Sequence, residues 1–356
     1  MTIGSAVGVT AEDLARRCDQ ALTVFLDAQS PQWPDGAPHG VLDACRRFVL
    51  AGGKRLRPMF SYWGWRGAGG PDGPEIIAAS AALELFHAFA LIHDDIMDGS
   101  EQRRGRPSMH RHFTELHTRH RWRGDAARYG HSAALLGGDL CAAWADQMFT
   151  GSGLPPEWIQ RGHRLFTLMR TEVIAGQYLD LVSSVGDGSV AGALTVIRMK
   201  AARYTVTRPL QIGAALAGAE PETLAALLRF GDPLGDAFQL RDDVLGVFGD
   251  PSVTGKPVLD DLREGKPTVL IALARQHADA GQSDKFKNLF GRMDLDPAGA
   301  EELRTIIAAT GALDREEDMI TVRAESAVSA LTDAPITDEA RAALATLAGS
   351  VVDRSR

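Results

Sequence analysis

The sequence predicts an all-α protein. Three observations carry this reading. Alternating apolar and polar residues, the period of a half-buried strand, are nearly absent, and there is no Asn-Gly hairpin signal. Apolar residues, dominated by Ala and Leu, instead recur at the spacing of an amphipathic helix. No fixed-period repeat and no long biased linker divides the 356 residues. The expectation is one large helical bundle of about a dozen helices, with a flexible N-terminal tail over residues 1–10 and a single domain over residues 11–352.

The elements follow in order. Ala11 to Ala28 carries Leu14, Ala21, Leu22 and Phe25 on one stripe, with Thr10 as its N-cap. Ser30 to Gly40 is rich in Pro and Gly and reads as a loop. Val41 to Leu50 returns to helix and Gly52-Gly53 breaks it. Pro58 suits the first turn of the next helix, which runs through Tyr62 and Trp65. After a turn-rich loop, Glu75 to Asp98 is a long apolar helix that ends in acid. Gly99 to Gly130 is polar, with many Arg and His, and reads as a connector. Helical patterns resume at Ser132–Phe149, Glu157–Val182, Gly192–Leu216, Pro221–Phe248, Pro267–Asp279, Asp284–Met293, Ala298–Thr310, Glu316–Leu331 and Asp338–Val352.

Bulk composition narrows the function classes. The net charge of −8 disfavours nucleic acid and anionic membranes as partners. No run reaches the ~18 unbroken apolar residues of a membrane span, and Met1 to Thr10 lacks the basic flank and apolar core of a secretory signal. Cys18, Cys45 and Cys141 are odd in number and widely spaced, which indicates neither a disulfide framework nor a zinc site. A cytoplasmic protein is expected. Only six of the 38 basic residues are Lys, and Lys54, Lys200, Lys256 and Lys266 all fall inside the motifs below. Where Arg is the default cation, such Lys residues suit a compact charge on phosphate.

Chemistry gathers in four places. Leu91-Ile92-His93-Asp94-Asp95-Ile96-Met97-Asp98 puts Asp94 and Asp98 on one helix face, about 6 Å apart along the axis, with Asp95 pointing elsewhere. Like charges beside so much apolar surface suit a hard cation, since Mg²⁺ takes one or two carboxylates plus phosphate oxygens. Alone, the stretch would read as a solvated helix end. Arg103-Arg104 follows, suited to forked contacts with a diphosphate or to pairing with the neighbouring acids. Gly52-Gly53-Lys54-Arg55-Leu56-Arg57-Pro58 sets three cations at a helix start, an anion site or a solvated basic turn. His87 lies two turns before Asp94, able to reach an anion or to rest in the core. Phe238-Gln239-Leu240-Arg241-Asp242-Asp243 is a second acidic cluster inside an apolar helix, with Gln239 on the Asp242 face. Two such helices facing across a cavity would clamp Mg²⁺ ions. Gly255-Lys256-Pro257, with Asp260-Asp261 and Lys266 beyond, is a Gly-punctuated cationic loop but not a P-loop, because the G-x-x-x-x-G-K-[ST] pattern is missing. No G-x-S-x-G elbow and no H-E-x-x-H occurs.

Together these motifs resemble the trans-isoprenyl diphosphate synthases, of the short-chain polyprenyl synthetase type. The match runs through Lys54/Arg57, Asp94-Asp95-x-x-Asp98 with Arg103-Arg104, Gly138-Asp139, Gly176-Gln177 with Asp180, Lys200, Gln239 with Asp242-Asp243, and Gly255-Lys256-Pro257. It covers roughly Ala51 to Leu273 in order. The resemblance implies the type I isoprenoid synthase fold, a bundle around a deep central cavity, usually homodimeric. It implies joining of an allylic diphosphate to isopentenyl diphosphate with Mg²⁺, up to three ions per site. By the same carry-over, Asp94, Asp98 and Asp242 hold metal. Arg103, Lys200, Gln239 and Lys256 line the allylic site as catalytic residues. Lys54, Arg57, His87 and Arg104 hold isopentenyl diphosphate, and Asp243 and Lys266 join the substrate-binding set.

Two departures stand out. The family's second acidic motif often ends in a further Asp, where this chain has Gly246, and Ala201 stands where a Thr commonly follows the mid-chain Lys. Activity is still expected. Product length in this family depends on residues below the first acidic motif, here Phe86, Phe89 and Ala90. Helical periodicity puts Ala90 and Phe86 near the Asp94 face and turns Phe89 away, so the pocket role of Phe89 rests on the resemblance. One aromatic beside a small Ala90 resembles the geranylgeranyl (C20) synthases. A farnesyl (C15) product is the runner-up because Phe86 adds bulk. A class I terpene cyclase and an inactive partner subunit are further alternatives, disfavoured by the retained cationic motifs and both acidic pairs.

Overall fold

The computed structural model describes residues 9–29, 40–184, 186, 188–249 and 260–352. Among these it holds fifteen helices and a single two-stranded hairpin. The chain divides into two compact units, Met1–His163 with Ile212–Gly218, and Arg164–Gln211 with Ala219–Arg356.

The first unit contains α1 (Ala11–Asp27), α2 (Gly40–Val49), α3 (Leu56–Gly67), α4 (Pro74–Met97), α5 (Met109–His120), α6 (Ala126–Thr150) and the start of α7 (Pro156–Ser184). Thr10 caps α1 by accepting the Asp13 N–H at 3.1 Å, and Leu14, Cys18, Leu22 and Leu26 form its buried stripe. Helix α4 is the centre of this unit. Pro74 opens it, and its buried residues lie all round rather than on one face, the pattern of a helix enclosed by others. It is long and apolar enough to cross a membrane, but 67% of its apolar window is buried inside the protein. It carries the buried, ion-paired Glu84 besides, so it is a core helix. The three cysteines are buried and make no disulfide.

The second unit holds the rest of α7, most of α8, α9 (Pro221–Phe248), α10 (Asp260–Glu264), α11 (Val269–His277), α12 (Ala280–Leu289), α13 (Pro297–Ala309), α14 (Ala312–Thr332) and α15 (Asp338–Val352). Helix α8 is continuous in three parts, Val190–Val196, a π-helical Ile197–Thr207 and Arg208–Leu216. A Cβ at Gly235 would lie 2.6 Å from the Ala202 carbonyl oxygen, so α9 crosses the π segment at backbone contact. Buried Arg208 and Glu172 pair at 2.6 Å, and Arg203 bridges Glu172 and Asp232 at 3.1 Å each. Such satisfied networks hold helices in a specific register.

Four features depart from the sequence reading. The expected connector from Gly99 to Gly130 contains the hairpin β1 (Gln102–Arg103) and β2 (Arg106–Pro107), all of α5, and the first turn of α6, which starts at Ala126 rather than Ser132. Helix α5 escaped notice because its buried face uses imidazole: Met109, His110, Phe113 and His117 are its core residues. A Cβ at Gly130 would sit 2.4 Å from the His110 carbonyl oxygen, which lets α5 and α6 pack closely. The short α10 was also missed. The Ser30–Gly40 loop, apart from Gly40, lies outside the described residues, as do residues 1–8 of the tail.

Candidate active site

In the first unit the cationic turn and the acidic helix end share one neighbourhood. Gly52 (φ 86°) and Gly53 (φ 143°) adopt backbone that glycine tolerates best. Gly53 also makes room, since a Cβ there would lie 3.2 Å from the Arg104 guanidinium. Arg104 donates to the Gly52 carbonyl from across the chain. Arg55, between Lys54 and Arg57, is turned inward at φ 50°. Its guanidinium donates to Asp19 (2.8 Å), to Glu84 (2.7 Å) and to the Val49 carbonyl (3.0 Å). The middle cation of the turn is therefore structural.

His87 lies in the field of Arg57, Arg104, Arg103 and Arg55. Burial first, and then these four cations, hold its protonation well below the usual imidazole range. The imidazole is neutral, set among Arg side chains as a polar group beside an anion would be.

The acidic stretch closes α4. Asp95, expected to point away, is fully buried and is the main partner of Arg103, whose Nε donates to it at 2.8 Å. Arg103 reaches Asp94 at 3.6 Å. Burial pushes Asp95 up to about 6 despite that guanidinium, with Asp94 and Asp98 adding to the rise. Of the two parts the sequence left open for Arg103, the contacts seen are those with the neighbouring acids. Above the acids, Phe86, Phe89 and His93 form a ring stripe on α4, with centroids 5.2 Å and 4.7 Å apart. Phe86 is buried, whereas Phe89 and Ala90 are half-buried.

The second unit carries the remaining motifs. Lys200 sits in the π-helical segment, a distortion that often marks functional sites. Its Nζ donates to Asp180 at 2.6 Å. Gly176 permits this, since a Cβ there would lie 2.4 Å from the Lys200 backbone nitrogen. On α9, Gln239 donates to Asp243 at 2.9 Å, one residue beyond the Asp242 expected from spacing. Burial drives Asp243 up to about 8, with Asp242 and Asp261 adding to it. Lys266 pairs with Glu264 at 3.0 Å. Lys256 lies outside the described residues.

Among the described residues no group of three His, Cys, Asp or Glu side chains forms a closed metal cage. The donor chemistry still fits Mg²⁺, which takes few protein carboxylates and completes its shell with water and phosphate oxygens. Half-buried Asp94, Asp98 and Asp242 are hard oxygen donors of that kind, whereas Asp95 and Asp243 are buried and already take hydrogen bonds from Arg103 and Gln239.

A polyprenyl synthetase family model matches residues 39–307. The chain belongs to the polyprenyl synthetase family. Over 97% of its length it superposes on a Corynebacterium glutamicum geranylgeranyl pyrophosphate synthase complexed with isoprenyl diphosphate and magnesium, with TM-score 0.93, 41% identity and 100% of that chain covered. It is 34% identical to geranylfarnesyl diphosphate synthase of Aeropyrum pernix, over 89% of this chain and 95% of that one. It is 32% identical to geranylgeranyl diphosphate synthase of Mycobacterium tuberculosis, over 79% and 75%. The protein is a prenyltransferase with the all-α isoprenoid synthase fold.

Two features of this polyprenyl synthetase were invisible in the sequence. The first is the place of Asp261 against Gly246. A Cβ at Gly246 would fall 1.9 Å from the Asp261 carboxylate oxygen, so the space of the missing third acid is already filled by a carboxylate from α10. Gly246→Asp, which restores the family pattern, is therefore expected to destabilise the fold by about 1–3 kcal/mol through overpacking and like charge. Urea melts measure it, and an unchanged midpoint would show that α10 yields freely.

The second is Glu316 on α14, fully buried, with no hydrogen-bond partner among the described residues on either carboxylate oxygen. Burial first, then Asp243 and Glu317, hold it well above the usual carboxylate range. No motif marks it, because its neighbour Glu317 is an ordinary surface partner for Arg241 at 2.8 Å. Both Glu316 and Asp243 are acids with raised folded-state values. Native protein then binds more protons than unfolded chain above about pH 4, and stability falls as pH rises toward and through about 8. Glu316→Gln removes one of these groups. In metal-free buffer the variant should lose less stability than wild type between about pH 6 and about pH 9, measured by urea melts. Parallel losses would mean that Glu316 does not titrate in this window.

Proposed function

We propose that this polyprenyl synthetase condenses an allylic diphosphate with isopentenyl diphosphate and stops mainly at the C20 product, geranylgeranyl diphosphate. The observation that carries the reading is the 41% identity, over nearly the whole chain, to a geranylgeranyl pyrophosphate synthase. The local stripe supports it. Phe86 is 1% exposed and packs as core, which leaves half-buried Phe89 and small Ala90 as the side chains to limit chain growth. The relatives also include a geranylfarnesyl synthase and farnesyl synthases, so neighbouring chain lengths are the competing outcomes.

Lys54, Arg57, His87 and Arg104 take the isopentenyl diphosphate. Their own geometry supports this, with Arg55 withdrawn into the core and a neutral imidazole among the remaining cations. Asp94, Asp98 and Asp242 are the proposed Mg²⁺ ligands. When bound, the ions supply Lewis-acid stabilisation of the departing diphosphate. Arg103, Lys200, Gln239 and Lys256 contribute positive charge or hydrogen bonds to the same leaving group, and Asp243 and Lys266 stand beside it. Arg103 is held in place by Asp95, and Lys200 by Asp180. No side-chain nucleophile is required, because the allylic carbon left by the diphosphate is attacked by the double bond of the second substrate, and the resulting cation gives up a proton to the released diphosphate. Up to three Mg²⁺ ions, a single working domain over residues 11–352 and action in the cytoplasm belong to the same proposal. So does a homodimer, which the exposed apolar residues Leu135 and Leu136 on α6, and Ile174, Tyr178 and Val182 on α7, would favour.

The test is incubation of purified protein with labelled isopentenyl diphosphate plus dimethylallyl, geranyl or farnesyl diphosphate, with and without Mg²⁺. Metal-dependent elongation that stops at geranylgeranyl diphosphate is expected with each primer. A farnesyl ceiling would overturn the product assignment. Cyclic hydrocarbon from a single diphosphate would favour a cyclase, and no turnover at all would favour an inactive partner subunit.

A further inference from the structure

We infer that His93 is a positioning residue that braces the Phe89 ring and thereby sets product length, an inference resting on the reading of Phe89 as the floor of the chain-growth pocket. His93 precedes the first metal-binding acid and is drawn off toward α6. Its Nε2 donates to the Leu135 carbonyl oxygen at 3.1 Å, with the Asp139 carboxylate 3.7 Å from the same nitrogen. The first contact selects the Nε2–H tautomer. Gly138 makes the approach possible. A Cβ at that position would fall 2.3 Å from both Cδ2 and Nε2 of the imidazole, so the ring rests on bare α6 backbone. The Gly138-Asp139 pair thus acquires a physical role: its glycine is a seat for the ring, and its acid stands beside the ring nitrogen.

The seated imidazole meets Phe89 edge to face, at 4.7 Å and 62°. On its other side Phe89 meets Phe86 at 5.2 Å. Phe86 is sealed in the core and His93 is only 18% exposed. Phe89 therefore stands between two fixed rings on one stripe of α4. A phenylalanine with two rotatable bonds can block a growing chain only if its rotamer is held. The core holds one side of this ring, and His93 holds the other.

The experiment compares product distributions of wild type, Phe89→Ala, His93→Ala, His93→Phe and the double variant Phe89→Ala/His93→Ala, each checked for fold by circular dichroism. Product ratio is the readout because it does not depend on total rate, which a change beside Asp94 will lower. His93→Ala should raise the ratio of geranylfarnesyl and longer products to geranylgeranyl diphosphate several-fold. His93→Phe, which keeps a ring against Phe89, should stay near wild type and serves as the second variant if the Ala form does not fold. The double variant should match Phe89→Ala alone, because His93 acts through Phe89. A wild-type distribution in His93→Ala, or full additivity in the double variant, would overturn the brace while leaving the floor intact. An unchanged distribution in Phe89→Ala would instead remove the floor itself, and the brace with it.

Discussion

Asp94→Ala should lower kcat by at least about 10²–10³-fold, the usual effect of deleting one preorganised group that stabilises charge in the transition state. Two physical facts set this expectation. The reaction releases a diphosphate, so its barrier depends on how well negative charge is met as it builds. Asp94 also lies among other charged groups, with Arg103 3.6 Å away and Asp95 pushed up to about 6 by burial. Asp98→Ala and Asp242→Ala should fall in the same range if the three share the metals. The control is isopentenyl diphosphate binding without metal, assigned to Lys54, Arg57, His87 and Arg104, which Asp94→Ala should leave within about twofold. Asp95→Asn should behave differently. It weakens the anchor of Arg103, so its loss reflects a misplaced guanidinium and not a missing ligand. Steady-state kinetics with Mg²⁺ titration separates the cases: Asp94→Ala should also shift the metal dependence, whereas Asp95→Asn should not. A loss below about tenfold in Asp94→Ala would remove it from the metal set.

The motifs of this enzyme were legible because they are sequence-local. Asp94-x-x-x-Asp98, Lys54-x-x-Arg57 and Asp242-Asp243 announce themselves by charge in apolar surroundings, and helical periodicity places them without tertiary knowledge. What stayed hidden depends on contacts remote in sequence. Nothing in Lys54-Arg55-Leu56-Arg57 says that the second cation turns inward, since its partners Asp19 and Glu84 lie on other helices. Gly246 read as a lost carboxylate until Asp261 was seen in its place. Phe89 carries no sequence sign that its ring is flanked by those of Phe86 and His93. Helix α5 was read as a connector because a core built from His110 and His117 carries no apolar period. In each case residue type was visible and residue environment was not.

Arg55→Leu should destabilise the protein by about 3–5 kcal/mol, the cost of leaving a buried ion without its partner. Glu84 is the ion concerned. Its side chain is 4% exposed and that of Arg55 is 2% exposed, and they meet at 2.7 Å. The charge of Glu84 is felt nearby, where the Cys18 thiol is pushed up to about 12 by burial and then by Glu84. Arg55 answers that charge while also reaching Asp19 and the Val49 carbonyl, so one guanidinium ties α1, the end of α2 and α4 together. Asp19 is the weaker partner because its side chain is 47% exposed. Asp19→Ala should therefore cost no more than about 1 kcal/mol, as for a solvated pair. Urea denaturation of the two variants tests the ranking, and equal losses would show that the buried pair contributes nothing special. A functional consequence follows from the same geometry. Arg55 adopts left-handed backbone where it makes these bonds, in the same turn that carries Lys54 and Arg57. In Arg55→Leu the turn is expected to loosen, raising KM for isopentenyl diphosphate more than it lowers kcat at temperatures where the variant is still folded. A kcat loss with unchanged KM would mean that the turn holds its shape without its anchor.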